Sequence, residues 1–98
     1  MKKMAIRVLM KRNFSADKLE ALRELTVKMR VLAMDQPGYV SGESLMRIDR
    51  PGVSLVISKW KSREAWENWL KTPERINVQQ KIDELLGVKT EYEIYDYD

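Results

Sequence analysis

At 98 residues, 44% of them hydrophobic and 34% charged, the chain has the length of one globular domain and the composition of a soluble, ordered one. It contains no cysteine and no histidine, which removes disulfides, thiolate nucleophiles, thiolate metal sites and every constellation built on an imidazole. The net charge of +3 is small, no apolar run approaches the ~20 residues that span a bilayer, and the lack of cysteine suits a cytoplasmic protein.

The opening MKKMAIRVLM starts basic, but Arg7 interrupts a short apolar stretch and no small-residue cleavage site follows, so no signal peptide is expected. Ile6, Val8 and Met10 then alternate with Ala5, Arg7, Leu9 and Lys11, which predicts a strand with two usable faces. From Asn13 the pattern turns helical. Ser15 is a candidate N-cap, Asp17 sits in the first turn, and Leu19, Leu22, Leu25, Met29 and Leu32 trace a stripe at the helical period up to Pro37-Gly38.

YVSGESLMRI and VSLVISKW read as two further strands, and DRPGV between them places Pro51 and Gly52 at the centre of a type II turn. Gly42 inside the second strand predicts a bulge or a close backbone approach. Two helical starts follow in succession. Ser62 caps REAWENWL, and Thr72-Pro73-Glu74 opens a second helix whose apolar side is assigned to Ile76, Ile82 and Leu85, with Gly87 as its stop. VKTEYEIYDYD alternates as a fourth strand, with Val88, Tyr92 and Ile94 on one face.

The order β-α-β-β-α-β predicts an α+β, ferredoxin-like fold: a four-stranded antiparallel sheet with helices on one face. In that arrangement the last strand pairs with the first. Lys2, Lys3, Arg7, Lys11 and Arg12 near one end and Glu91, Glu93, Asp96 and Asp98 at the other then complement each other across the pair. That reading is preferred to a nucleic-acid-binding arm, because no aromatic residues interleave the basic ones. The strands carry apolar residues on both parities, Leu55 and Ile57 against Val56 and Trp60. The face without helices therefore calls for a cover, and a homodimer packed sheet against sheet is expected.

PGYVSGE after the first helix and WKSREAWENWLKTP after the third strand resemble the antibiotic biosynthesis monooxygenase family, the dimeric α+β barrel group. The resemblance implies a pocket in each subunit between helices and sheet, with the sheets of two subunits closing a barrel. It also implies one of two chemistries, cofactor-independent oxygenation of quinols and anthrone-like polyphenols or the degradation of haem. Many members carry histidine where this chain has Trp69 and Glu74. Trp69 matches the tryptophan that presses on haem in the degrading branch. That branch has its axial histidine at the position of Gln79, and its first-strand asparagine aligns with Arg7. With no histidine to ligate iron, haem degradation is not expected, and no cofactor is assigned.

The candidate site residues are Trp69, Trp66, Arg7, Tyr39 and Gln79. Trp66 and Trp69 are neighbours on one helix face, as core or as pocket wall; the match to the family favours the wall for Trp69. Trp60, at a strand end, reads as packing, and Tyr39 as either pocket lining or its lid. Arg7 shares the face that the resemblance turns toward the helices, where it would meet a phenolate or carboxylate, or pair with Glu91 or Glu93. Gln79 and Asn77 offer amides on the last helix. No acids cluster at metal-ligand spacing, and no residue is identified as the catalytic base. The expected function is oxidation of a quinol or polyphenol-like aromatic by dioxygen without a cofactor; the alternative is a non-catalytic dimeric module that binds a small molecule.

Overall fold

A computed structural model describes residues 5–97. Its elements are β1 (Ile6–Asn13), α1 (Leu19–Met34), β2 (Tyr39–Met46), β3 (Val53–Trp60), α2 (Arg63–Leu70), α3 (Pro73–Leu86) and β4 (Tyr92–Asp96), with a 3-10 turn, Ala16–Lys18, leading into α1. The sheet runs β2-β3-β1-β4 with every neighbour antiparallel, which is the ferredoxin-like arrangement. Lys2, Lys3 and Asp98 of the charged termini lie outside the described residues.

Local sequence accounts for most of the joints. Ser62 caps α2 by accepting a hydrogen bond from the Ala65 backbone N–H at 3.1 Å, and Pro73 stands at the start of α3. Two proposed caps behave otherwise. Ser15 makes no side-chain cap bond before the 3-10 turn, and the Thr72 hydroxyl turns backward to donate to the Trp69 carbonyl at 3.0 Å. Gly52 has φ +89°, and a Cβ there would lie 2.6 Å from the Phe14 carbonyl oxygen. The hairpin turn is thus held to glycine twice over, by its dihedral and by the chain it touches.

Two apolar clusters lie under the helices. Ile6, Val8, Ala33, Trp60, Trp66 and Trp69 form one, and Leu22, Val78 and Ile82 form the other, between α1 and α3. The α1 stripe is as expected, with Leu22 buried and Leu25, Met29 and Leu32 packed against the clusters. The apolar side of α3 is as expected in part: Ile82 is buried and Leu85 packs against the second cluster, but Arg75, Val78 and Gln79 are buried beside them while Ile76 is exposed. At about 100° per residue, Ile76 lies roughly 200° from Val78 and cannot share its face. The fourth strand starts later than expected, at Tyr92, and Val88 is exposed ahead of it.

Register then decides the faces. Ile6, Val8 and Arg12 of β1 are buried on the helix side, while Arg7, Lys11 and Asn13 are exposed on the other. On that open face Leu9 is registered with Ile57 and Lys11 with Leu55. No helix among the described residues is long and apolar enough to cross a membrane.

Candidate functional site

A cavity of about 70 Å³ lies between α1 and the sheet. It exists because the sheet is lined there with small residues: Gly42 and Ser44 of β2 and Ser58 of β3 leave the space beneath α1 unfilled. Thr26, Met29, Arg30 and Ala33 of α1 form its roof, and Met10 and Arg12 of β1 one end. The volume is several times the ~10–15 Å³ that admits a single water. It is well below the ~300–1,000 Å³ of sites for drug-sized ligands.

The other end is aromatic. The rings of Trp60 and Trp69 stack with centroids 6.0 Å apart and 28° between planes, and Tyr39 meets Trp60 edge-on at 5.3 Å. The Trp60 indole N–H donates to the Ser58 hydroxyl at 3.1 Å, so the buried ring carries no unmet donor. Tyr39 reaches this wall through an irregularity in β2. The register shifts between Tyr39 and Ser41, so that Tyr39 faces Trp60 while Gly42, of opposite parity, faces Ser58. A Cβ on Gly42 would lie 2.5 Å from the Tyr39 hydroxyl oxygen. The irregularity thus falls just before Gly42 and not at it, and what approaches the glycine closely is the Tyr39 side chain and not a backbone; together they seat the tyrosine.

Arg12 is the buried charged group of the cavity. It is 5% exposed. Its Nη2 has only the Met10 sulfur as a partner, at 3.8 Å, and its Nε has none among the described residues. Burial lowers the affinity of its guanidinium for a proton, with Tyr92 and Asp83 opposing that effect and Arg75 adding to it. Arginine nevertheless stays charged in proteins. At the rim Arg30 is exposed and donates to the Ser44 hydroxyl at 3.3 Å.

Behind Arg12 lies a polar cluster on α3 and β4. Arg75 donates to the Tyr92 hydroxyl, which in turn donates to Gln79 Oε1 at 3.2 Å. Gln79 Nε2 donates to Asp83 at 2.9 Å and to the Thr90 hydroxyl at 2.7 Å, and that hydroxyl donates to Asp83 at 2.9 Å. Burial pushes the Tyr92 hydroxyl above its ordinary value, against the pull of Arg75 and Arg12. At neutral pH it is a protonated donor and not a base. Among the described residues no three acidic side chains gather as metal ligands.

Of the sequence candidates, Trp69 and Tyr39 line the cavity. Trp66 is buried but turns its ring edge to Tyr92, with centroids 5.5 Å apart, and does not line it. Gln79 is likewise buried, within the polar cluster. Arg7 is a correction. It lies on the open face, where its Nε donates to the Tyr97 hydroxyl at 3.2 Å and its guanidinium sits 5.9 Å from that ring, so neither Glu91 nor Glu93 is its partner. Hydrogen bonds from Arg7 and then Lys59 hold the Tyr97 hydroxyl below the usual phenol range.

The miss has a simple cause. The resemblance sets the Arg7 face toward the helices, whereas the residues of β1 are apolar at Ile6, Val8 and Met10 and polar at Arg7, Lys11 and Asn13, and the opposite parity exchanges every side chain between the faces. The overlooked residue had a signal: Arg12 continues the series Ile6, Val8, Met10, a charge on the face that packs.

The fold recurs in proteins of distant sequence. A conserved protein of Methanosarcina mazei Go1 superposes with TM-score 0.89 at 18% identity, over 97% of this chain and 94% of that one. Rv0793 of Mycobacterium tuberculosis gives 0.81 at 21%, over 93% and 92%. SnoaB of Streptomyces nogalater, a cofactor-independent oxygenase, gives 0.82 at 15%, over 99% and 95%. At these identities the likeness is one of fold. Among curated proteins none matches the sequence. The family profile described as Antibiotic biosynthesis monooxygenase, however, matches residues 5–81, from the first strand through most of α3. With the ferredoxin-like sheet and its helix-side cavity, that match places the chain in the antibiotic biosynthesis monooxygenase family.

Proposed function

We propose that the protein oxygenates a small, electron-rich aromatic, a quinol or simple phenol, in the cavity walled by Trp60, Trp69 and Tyr39. The observation that carries this reading is that wall: three aromatic rings closing one end of a half-open cavity in a chain of this family. SnoaB, of the same fold, is a cofactor-independent oxygenase, which supports the same class of reaction here. The volume favours a single ring over the polycyclic polyphenols.

The chemistry asks little of the protein. A deprotonated phenol passes one electron to dioxygen, and the resulting phenoxyl radical, its spin shared with the ring, combines with superoxide at a ring carbon bearing hydrogen. The resulting hydroperoxide loses water, so that C–H becomes C=O, one oxygen atom stays in the ring product and the other leaves as water. The protein's part is to hold the ring and to favour the electron-rich anion.

Aerobic incubation with a panel of single-ring quinols and phenols is expected to give oxygen uptake above the protein-free rate. With labelled dioxygen, one labelled atom should appear in the quinone product. No uptake with any member of the panel, alongside measurable ligand binding, would sink the enzyme reading. It would leave the alternative, a non-catalytic module that binds small molecules, which the complete lack of histidine favours.

The same reading includes a homodimer, in the cytoplasm. Leu9, Leu55 and Ile57 on the open face, with Leu45 and Tyr95 beside them, have no cover from the chain's own helices, and a second copy supplies one. Sedimentation equilibrium should return twice the 11.6 kDa chain mass, and Leu55→Glu should return a single chain. A wild-type mass of one chain would overturn the dimer.

A further inference from the structure

Arg12 is the buried group for which the fold provides least. An arginine side chain offers its Nε and Nη2 hydrogens as a parallel pair, the fork that fits a carboxylate through two hydrogen bonds. In Arg12 that pair lacks an oxygen acceptor, since Nε, buried from solvent, has no partner among the described residues and Nη2 touches only a thioether, the flexible side chain a ligand would displace. The thioether belongs to Met10, which lines the same cavity. A native protein rarely leaves such donors unmet in its interior, because each unpaired buried donor costs the full desolvation penalty.

The surrounding charges do not supply the missing acceptor. Arg75 is a second buried cation nearby, and Asp83, the acid whose charge acts on Arg12, is already taken by Gln79, the Thr90 hydroxyl and the Thr90 backbone N–H. Among the described residues neither Arg12 nor Arg75 forms an ion pair within 4.0 Å. Two cations face one carboxylate, and the surplus positive charge sits at the cavity end opposite Trp60 and Trp69.

We infer that the cavity selects an aromatic carboxylate, a single-ring phenolic acid whose ring rests against Trp60 and Trp69 and whose carboxylate closes on the Nε–Nη2 fork of Arg12. This rests on the cavity being the ligand site, as proposed above, and adds the chemical class of ligand. Arg30 at the exposed rim adds positive potential along the way in. The carboxylate neutralises the surplus charge and fills the acceptor position that the fold leaves empty. A phenol without the acid leaves Arg12 as it is.

The test is calorimetric titration of the wild-type protein at neutral pH with 4-hydroxybenzoate and with 4-hydroxybenzamide, which keeps the ring and hydroxyl but not the charge. The acid is expected to bind about ten-fold or more tightly than the amide, the scale of a charged bidentate contact. Arg12→Met should cost the acid about ten-fold or more and the amide, which carries no charge, far less, so that the preference for the acid disappears, and Arg12→Lys, which keeps the charge but lacks the fork, should fall between. Equal binding of acid and amide by the wild type would overturn the inference while leaving an aromatic site in place. Binding of neither would remove the cavity as a ligand site, and the inference with it. Both of those outcomes are read on the wild type, so a variant that fails to fold cannot hide them.

Discussion

Replacing Trp60 with alanine is expected to cost about 3–5 kcal/mol of stability, the range for removing a fully buried tryptophan. Trp60 is 1% exposed, stacks on Trp69, receives the edge of Tyr39 and sits in register with Ile6 of the central strand. Its loss therefore opens the first apolar cluster at the point where β1, β2, β3 and α2 converge. A domain of this length has a total stability of about 5–15 kcal/mol, so a large part of the margin goes with one side chain. Urea denaturation followed by circular dichroism measures it, at several protein concentrations because assembly adds to apparent stability. A loss below about 1 kcal/mol would mean that the ring is not packed as described. Trp60→Phe keeps an aromatic wall and should recover much of the difference, though it forfeits the hydrogen bond to Ser58.

The second large effect separates two tryptophans that the sequence places three residues apart. Trp69→Leu is expected to weaken binding of an aromatic ligand about ten-fold, the equivalent of one lost stacking surface. Trp66→Leu should leave binding in the folded protein unchanged, because its ring meets Tyr92 and not the cavity. Both substitutions destabilise, since both rings are buried, so thermal midpoints do not distinguish them. Titration under conditions where each variant is folded does. Equal ligand affinity in the two variants would remove Trp69 from the cavity wall.

These expectations concern residues that sequence reading found, and the others show where such reading stops. Helix periodicity placed α1 correctly, because Leu19, Leu22, Leu25, Met29 and Leu32 recur at three- and four-residue steps along one face, even though Val27, Val31 and Met34 lie exposed off it. In α3 the face that packs is half polar, with Arg75 and Gln79 beside Val78 and Ile82. Apolar pattern has little hold there, and Ile76 was assigned inward when it points out. Gln79 stands out by resemblance and by its amide. Asp83 lies four residues further along the same helix, but Thr90 and Tyr92 come from the segment that enters β4, and no helical pattern records their meeting with Gln79.

What the sequence by itself determined is the order of elements, the Pro51-Gly52 hairpin, the Ser62 cap and the exclusion of thiol and imidazole chemistry. Each follows from a residue's own backbone preference or from a side chain that is absent, and neither depends on distant partners. Only the tertiary structure decided which face of the sheet the helices cover. β3 is apolar on both sides, with Leu55 and Ile57 against Val56 and Trp60, so alternation there marks two faces without ranking them, and helix packing selects one of the two parities for the whole sheet at once. That single choice turned Arg7 out toward Tyr97, turned Arg12 in toward Met10, and set the small residues Gly42, Ser44 and Ser58 under α1 where they leave a cavity.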